Sequence, residues 1–139
     1  MTEPFNLKRF VDAQNPVYAE VCRELKEGLK TGHWMWFIFP QLDGLGHSAM
    51  AAKFAIRSLE EARVYLNHPV LGPRLIECTE LVNAVSGRNI HEIFGYPDDL
   101  KFRSSMTLFA KAAPDNEVFR RALEKYFDGE WDPRTEELL

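Results

Sequence analysis

The residue types best able to do chemistry gather around one stretch, Gly32-His33-Trp34-Met35-Trp36-Phe37-Ile38-Phe39-Pro40-Gln41-Leu42-Asp43-Gly44-Leu45-Gly46-His47. His33 and His47 bracket it, and histidine is the side chain whose charge changes most easily near neutral pH. The first half is almost wholly apolar, as in a segment buried on all sides. The second half is punctuated by Gly44 and Gly46, so its backbone can turn sharply or approach a ligand closely. A rigid aromatic slab running into a polar loop suits the wall and mouth of a pocket. His47 lies just before a helix opened by Ser48, where free N–H groups favour an anionic ligand group. Its alternative is a loop histidine bonded to water. His33 is either a ligand contact or a boundary residue beside the slab, and Trp34 and Trp36 are either core or a stacking platform.

Lys53 sits among Ala49, Ala51, Ala52 and Phe54, either to meet a phosphate or to reach out into solvent. It is six residues past His47, about 240° around a helix, so His47 must belong to the preceding loop if both touch one ligand. Lys101, Arg103 and Ser104, with Ser105 and Thr107, give a cationic, hydroxyl-rich helical face that can clamp an anion. The plainer reading of Arg103 is a local ion pair with Asp98 or Asp99. The candidate ligand set is therefore His33, Trp34, His47, Lys53, Lys101, Arg103 and Ser104, with His47, Asp98 and Asp99 as the groups able to move protons. Ser104 and Ser105 lack the sharp glycine-flanked turn of a nucleophilic serine. The histidines are scattered, with no carboxylate or cysteine at ligand spacing, so no metal is expected.

The elements that must position these residues read as helices. Leu7, Phe10 and Val11 fall at helical spacing behind Asn6 as N-cap, and Asn15-Pro16 restarts the chain toward Gly28. The 34–39 run is ambiguous by pattern, but no other segment alternates with period two to pair with it, which favours a helix or an irregular buried segment. Ser58 and Glu61 form a capping box, Asn89 and Glu92 a second one. Leu71, Leu75, Cys78, Leu81, Val82 and Val85 trace a long stripe ending at Gly87. Pro97 with Asp98 and Asp99 opens another helix, Pro114 breaks it, a stripe from Phe119 to Phe127 follows, and Asp132-Pro133 caps a last short turn. The expected fold is all-α: one compact domain, residues 1–139, of about six to eight helices.

The 139 residues suffice for one domain with a real core. Ten phenylalanines favour a tightly packed interior. A net charge of −4 argues against binding a nucleic-acid backbone. Cys22 and Cys78 lie on apolar helical stripes and read as buried free thiols rather than a disulfide or reactive site. With no signal-like N-terminus and no apolar run of membrane-spanning length, a cytoplasmic protein away from the membrane is the expectation.

Three blocks carry a resemblance: residues 5–14 (Phe5-Asn6-Leu7-Lys8-Arg9-Phe10 onward), residues 33–42 with residues 44–48, and residues 99–109. Through them nearly the whole chain resembles a bacterial family catalogued as domain of unknown function 1810, compact helical proteins sometimes labelled calpastatin. That resemblance implies a multihelical fold and no established activity. Gly46-His47-Ser48-Ala49-Met50-Ala51-Ala52-Lys53-Phe54 and the segment around Phe119-Arg120-Arg121-Ala122-Leu123 are more distantly similar to the NADAR family of helical ADP-ribosyl glycosidases. That family carries an acid before its histidine, where Gly46 stands here. Glycosidic chemistry needs a carboxylate, which Asp43, Asp98 or Asp99 must then supply. The resulting expectation is a domain for a small anionic or nucleotide-like ligand, in its sharper form a hydrolase of an ADP-ribose-like substrate, without a cofactor. The competing class is a non-catalytic protein-interaction module, distinguished by a flat exposed aromatic patch in place of a pocket. Oligomeric state is not legible in the sequence.

Overall fold

The computed structural model describes residues 5–139. Among them the chain forms α1 (Lys8–Gln14), α2 (Tyr18–Glu27), α3 (Met35–Ile38), α4 (Ala49–Lys53), α5 (Leu59–Asn67), α6 (Leu71–Ala84), α7 (Ile90–Phe94), α8 (Asp98–Ala112), α9 (Val118–Phe127) and α10 (Pro133–Leu138). The only extended pairing among the described residues is an isolated bridge between Leu42 and Ile56. The fold is all-α as expected, but ten helices replace six to eight. The surplus comes from α3, α4, α7 and α10, of four to six residues each, too short to be stable alone and held by the packing around them.

Side-chain caps place four of the ten helix starts, those of α4, α5, α7 and α10. The Ser58 hydroxyl accepts from Glu61 N–H, Asn89 and Glu92 make a full capping box, and the Asp132 carboxylate accepts from Thr135 N–H beside Pro133. Two starts differ from expectation. Asn6 takes a left-handed φ of 49° and caps nothing, and Asn15 ends α1 instead of opening α2. The Ser58 box is also half a box, because the Glu61 carboxylate accepts from Arg57 N–H.

The long helix α8 is the hub, packed against α5, α7, α9 and α10. Its Phe102, Met106, Leu108 and Phe109 are fully buried. Phe102 stacks on Phe94 and meets Phe39 edge-on, with ring centroids 4.9 and 5.0 Å apart. A second aromatic group joins Phe10, Tyr65, Phe54 and Phe109. Both belong to one contiguous core.

Candidate functional site

The slab at residues 34–39 is core. Trp34, Met35, Phe37, Ile38 and Phe39 are buried, and only Trp36 is half-exposed. The buried Glu24 of α2 fixes the entry to it. Its Oε1 accepts from Thr31 N–H at 2.7 Å, Gly32 N–H at 2.9 Å and Trp34 Nε1 at 3.1 Å. Burial alone would raise the Glu24 pKa, but these donors outweigh it and the net shift is downward. The slab therefore offers no flat exposed aromatic patch, and Trp34 has its indole N–H spent inside the protein.

His33 and His47 are both exposed, and neither has a hydrogen-bond or ion-pair partner among the described residues. The loop before His47 lies tightly over α4: a Cβ on Gly46 would sit 2.5 Å from the Ala51 Cβ. An acidic residue at position 46 thus has no room without moving the loop. Trp36, Asp43, Gly44 and Gly46 line a cavity beneath this loop, but its water-accessible space is only about 10 Å³. That is room for a single water and not for a nucleotide. Ser48 already accepts from Ala51 N–H at the start of the five-residue α4.

The α8 candidates are held by internal partners. Asp98 bridges Lys30 at 2.8 Å and Lys101 at 3.7 Å, and the Lys101 ammonium lies 5.4 Å from the Trp36 ring centroid. Asp99 faces the exposed His91 at 3.2 Å. Arg103 donates to the Glu130 and Trp131 carbonyls, and Ser104 donates to the Asp132 carboxylate at 2.9 Å. Thr107 accepts from Asp132 N–H at 2.9 Å. The hydroxyl-rich face read from sequence is therefore the seat of the C-terminal segment, which reaches it through Asp132 ahead of α10.

The described residues place Lys53 differently. It lines a groove of about 520 Å³ between α1, α4 and α5, with Asn6, Arg9, Arg57 and Glu61. The floor is Arg9, whose guanidinium lies 3.1 Å from the buried Glu61 carboxylate. Arg9 also donates to the carbonyls of Phe5, Asn6, Lys53 and Ala55, which ties the end of α4 to α1. Lys53 and Arg57 are exposed, and neither meets a carboxylate among the described residues. The Lys53 ammonium rests 5.3 Å from the Phe54 ring centroid. Among the described residues the groove therefore carries two exposed cations on its rim, Lys53 and Arg57, over the Arg9–Glu61 ion pair. The volume falls in the usual range for ligand clefts, about 300–1,000 Å³.

Of the candidate ligand residues named from sequence, only Lys53 belongs to this groove. Arg9, Arg57 and Glu61 were missed there. Glu61 was absorbed by its capping role, and Arg9 reads as an ordinary solvated helix residue. The one available signal was Arg9 within the 5–14 block, because its partners Lys53, Ala55 and Glu61 are 44 to 52 residues away. No group of three or more His, Cys, Asp or Glu able to hold a metal occurs among the described residues. No helix among them is long and apolar enough to cross a membrane.

Comparison with known proteins agrees with the fold. A family model described as "Protein of unknown function (DUF1810)" matches residues 4–139. The chain is similar to the crystal structure of the conserved hypothetical protein Rv1873 from Mycobacterium tuberculosis, with 61% identity and a TM-score of 0.97. The match covers 99% of this chain and 98% of that one. No curated protein matches.

Proposed function

The chain belongs to the DUF1810 family of proteins of unknown function, and since that membership carries no activity we propose, from the geometry, a small-ligand-binding domain whose Arg9–Lys53–Arg57 groove takes an anionic, nucleotide-like ligand. The observation that carries this is the pair of exposed cations, Lys53 and Arg57, which meet no carboxylate among the described residues, on the rim of a cleft of about 520 Å³. A phosphate seated between them gains two charge-assisted contacts, each worth up to about 1 kcal/mol at an exposed position. The neighbouring Asn6 supplies an exposed polar side chain for the rest of the ligand.

The hydrolase form of this reading requires a carboxylate facing the ligand. Glu61 is the acidic side chain lining the groove, but one oxygen is held by Arg9 and the other by Arg57 N–H. The groove therefore supports binding more strongly than turnover. The interaction-module reading loses its expected carrier, because the aromatic slab is buried. Free thiols at Cys22 and Cys78 support a reducing, cytoplasmic setting.

Nuclear magnetic resonance titration with adenosine diphosphate and with inorganic phosphate tests the reading. Amide shifts confined to Asn6, Arg9 and residues 52–57 support it. Shifts that cluster at residues 98–104, or none at millimolar ligand, overturn it.

A further inference from the structure

Away from the groove, α2 and α6 pack together and bring two cysteines distant in sequence to one spot. Cys78 is fully buried and Cys22 is half-exposed. The Cys22 Sγ lies 3.7 Å from the Glu77 carboxylate, and the Cys78 Sγ lies 3.9 Å from the Tyr18 hydroxyl. The Tyr18 hydroxyl itself donates to Glu77, which joins all four side chains. The Arg74 guanidinium lies 4.6 Å from the Tyr18 ring centroid.

The two sulfurs flank the joined Tyr18 and Glu77 side chains from opposite helices, Cys22 on α2 and Cys78 on α6. The neighbouring Cys78 thiol lowers the Cys22 pKa to about 7, with burial opposing it and the Tyr18 hydroxyl assisting. Glu77, as a neighbouring negative charge, works against the Cys22 thiolate. The neighbouring Cys22 thiol, then burial, pushes Cys78 up. A thiolate is the nucleophilic form of cysteine, so the half-exposed sulfur is the attacking one and the buried sulfur keeps its proton.

We propose that Cys22 and Cys78 are a peroxide-oxidisable pair, Cys22 attacking and Cys78 resolving. The Cys22 thiolate attacks one oxygen of hydrogen peroxide, the O–O bond breaks, and hydroxide leaves. Cys22 becomes a sulfenic acid, oxidised by two electrons, and the peroxide is reduced. The Cys78 sulfur then displaces the sulfenic oxygen, an S–S bond forms, and that oxygen departs as water with the Cys78 proton. A dithiol reductant reverses the step by thiol–disulfide exchange. The product staples α2 to α6 beside the Tyr18–Glu77 pair.

The test uses the reduced, folded protein treated with hydrogen peroxide and mapped by mass spectrometry under non-reducing conditions. The expected result is a linked Cys22–Cys78 peptide lighter by about 2 Da, restored by dithiothreitol. Cys22→Ser should slow thiol loss by about tenfold or more, because the remaining sulfur is buried and protonated. Cys78→Ser should leave a sulfenic acid on Cys22 that dimedone traps. Mapping of the unsubstituted chain decides the question even where Cys78→Ser fails to fold. Retention of both thiols, a Cys22 sulfinic acid with no linked peptide, or oxidation of Cys22→Ser at the unsubstituted rate overturns the proposal.

Discussion

The Arg9 guanidinium lies 3.1 Å from the Glu61 carboxylate, 52 residues away, and its remaining donors reach four backbone carbonyls. This one side chain joins α1, the end of α4 and the start of α5. Arg9→Ala leaves a carboxylate that is 1% exposed without its charge partner. Removing one half of a buried pair costs about 3–5 kcal/mol. Denaturant unfolding should show a loss of that size, and a change within about 0.5 kcal/mol for Lys53→Ala or Arg57→Ala, whose side chains are exposed.

Glu24 makes the stability acid-sensitive. Its folded pKa lies below its ordinary value, so its contribution is fully present above the unfolded pKa. It is lost as pH falls through the lower folded value. Glu24→Gln should therefore be less stable than the unsubstituted chain at neutral pH, with the difference shrinking as pH falls below about 4. Melting temperatures measured across that range check this; a gap that stays constant with pH contradicts it.

The aromatic slab separates two costs. Phe39 is fully buried between Trp34, Phe94 and Phe102, and Phe39→Ala should cost about 3–5 kcal/mol. Trp36 is half-exposed beneath Lys101, and Trp36→Ala should cost distinctly less. Equal losses in thermal unfolding would mean that Trp36 carries core packing the structure does not give it.

The helical fold was legible because its signals are local. Ser58, Asn89 and Asp132 each cap the helix that follows, and the spacing of Phe102, Met106 and Phe109 gives the buried face of α8. The site was not, because its partners are far apart in sequence. Arg103 and Ser104 look like anion ligands until residues 130–132 are seen to cover them. Arg9 looks solvated until α4 and α5 fold against it. A polar helix face has the same pattern whether solvent, a ligand or another segment of the chain satisfies it.

Asp132 is the clasp of that C-terminal segment. Its carboxylate accepts from Ser104 and from Thr135 N–H, and its own N–H donates to Thr107. Asp132→Ala removes a helix cap worth about 0.5–2 kcal/mol together with the Ser104 bond. Hydrogen exchange should rise across residues 131–138 while α5 and α6 remain protected. Unchanged exchange there would show that α10 is held by other contacts.

In the proposed groove, Lys53 and Arg57 hold the anionic group of the ligand between them. Isothermal titration calorimetry with adenosine diphosphate, comparing the unsubstituted chain with the Lys53→Ala/Arg57→Ala double variant, tests it most directly. Saturable binding should weaken by about tenfold or more in the double variant, the loss expected for two exposed charge-assisted contacts, with an unchanged melting temperature for the free protein. Equal affinity in the two proteins, or no binding to either at millimolar ligand, would contradict it.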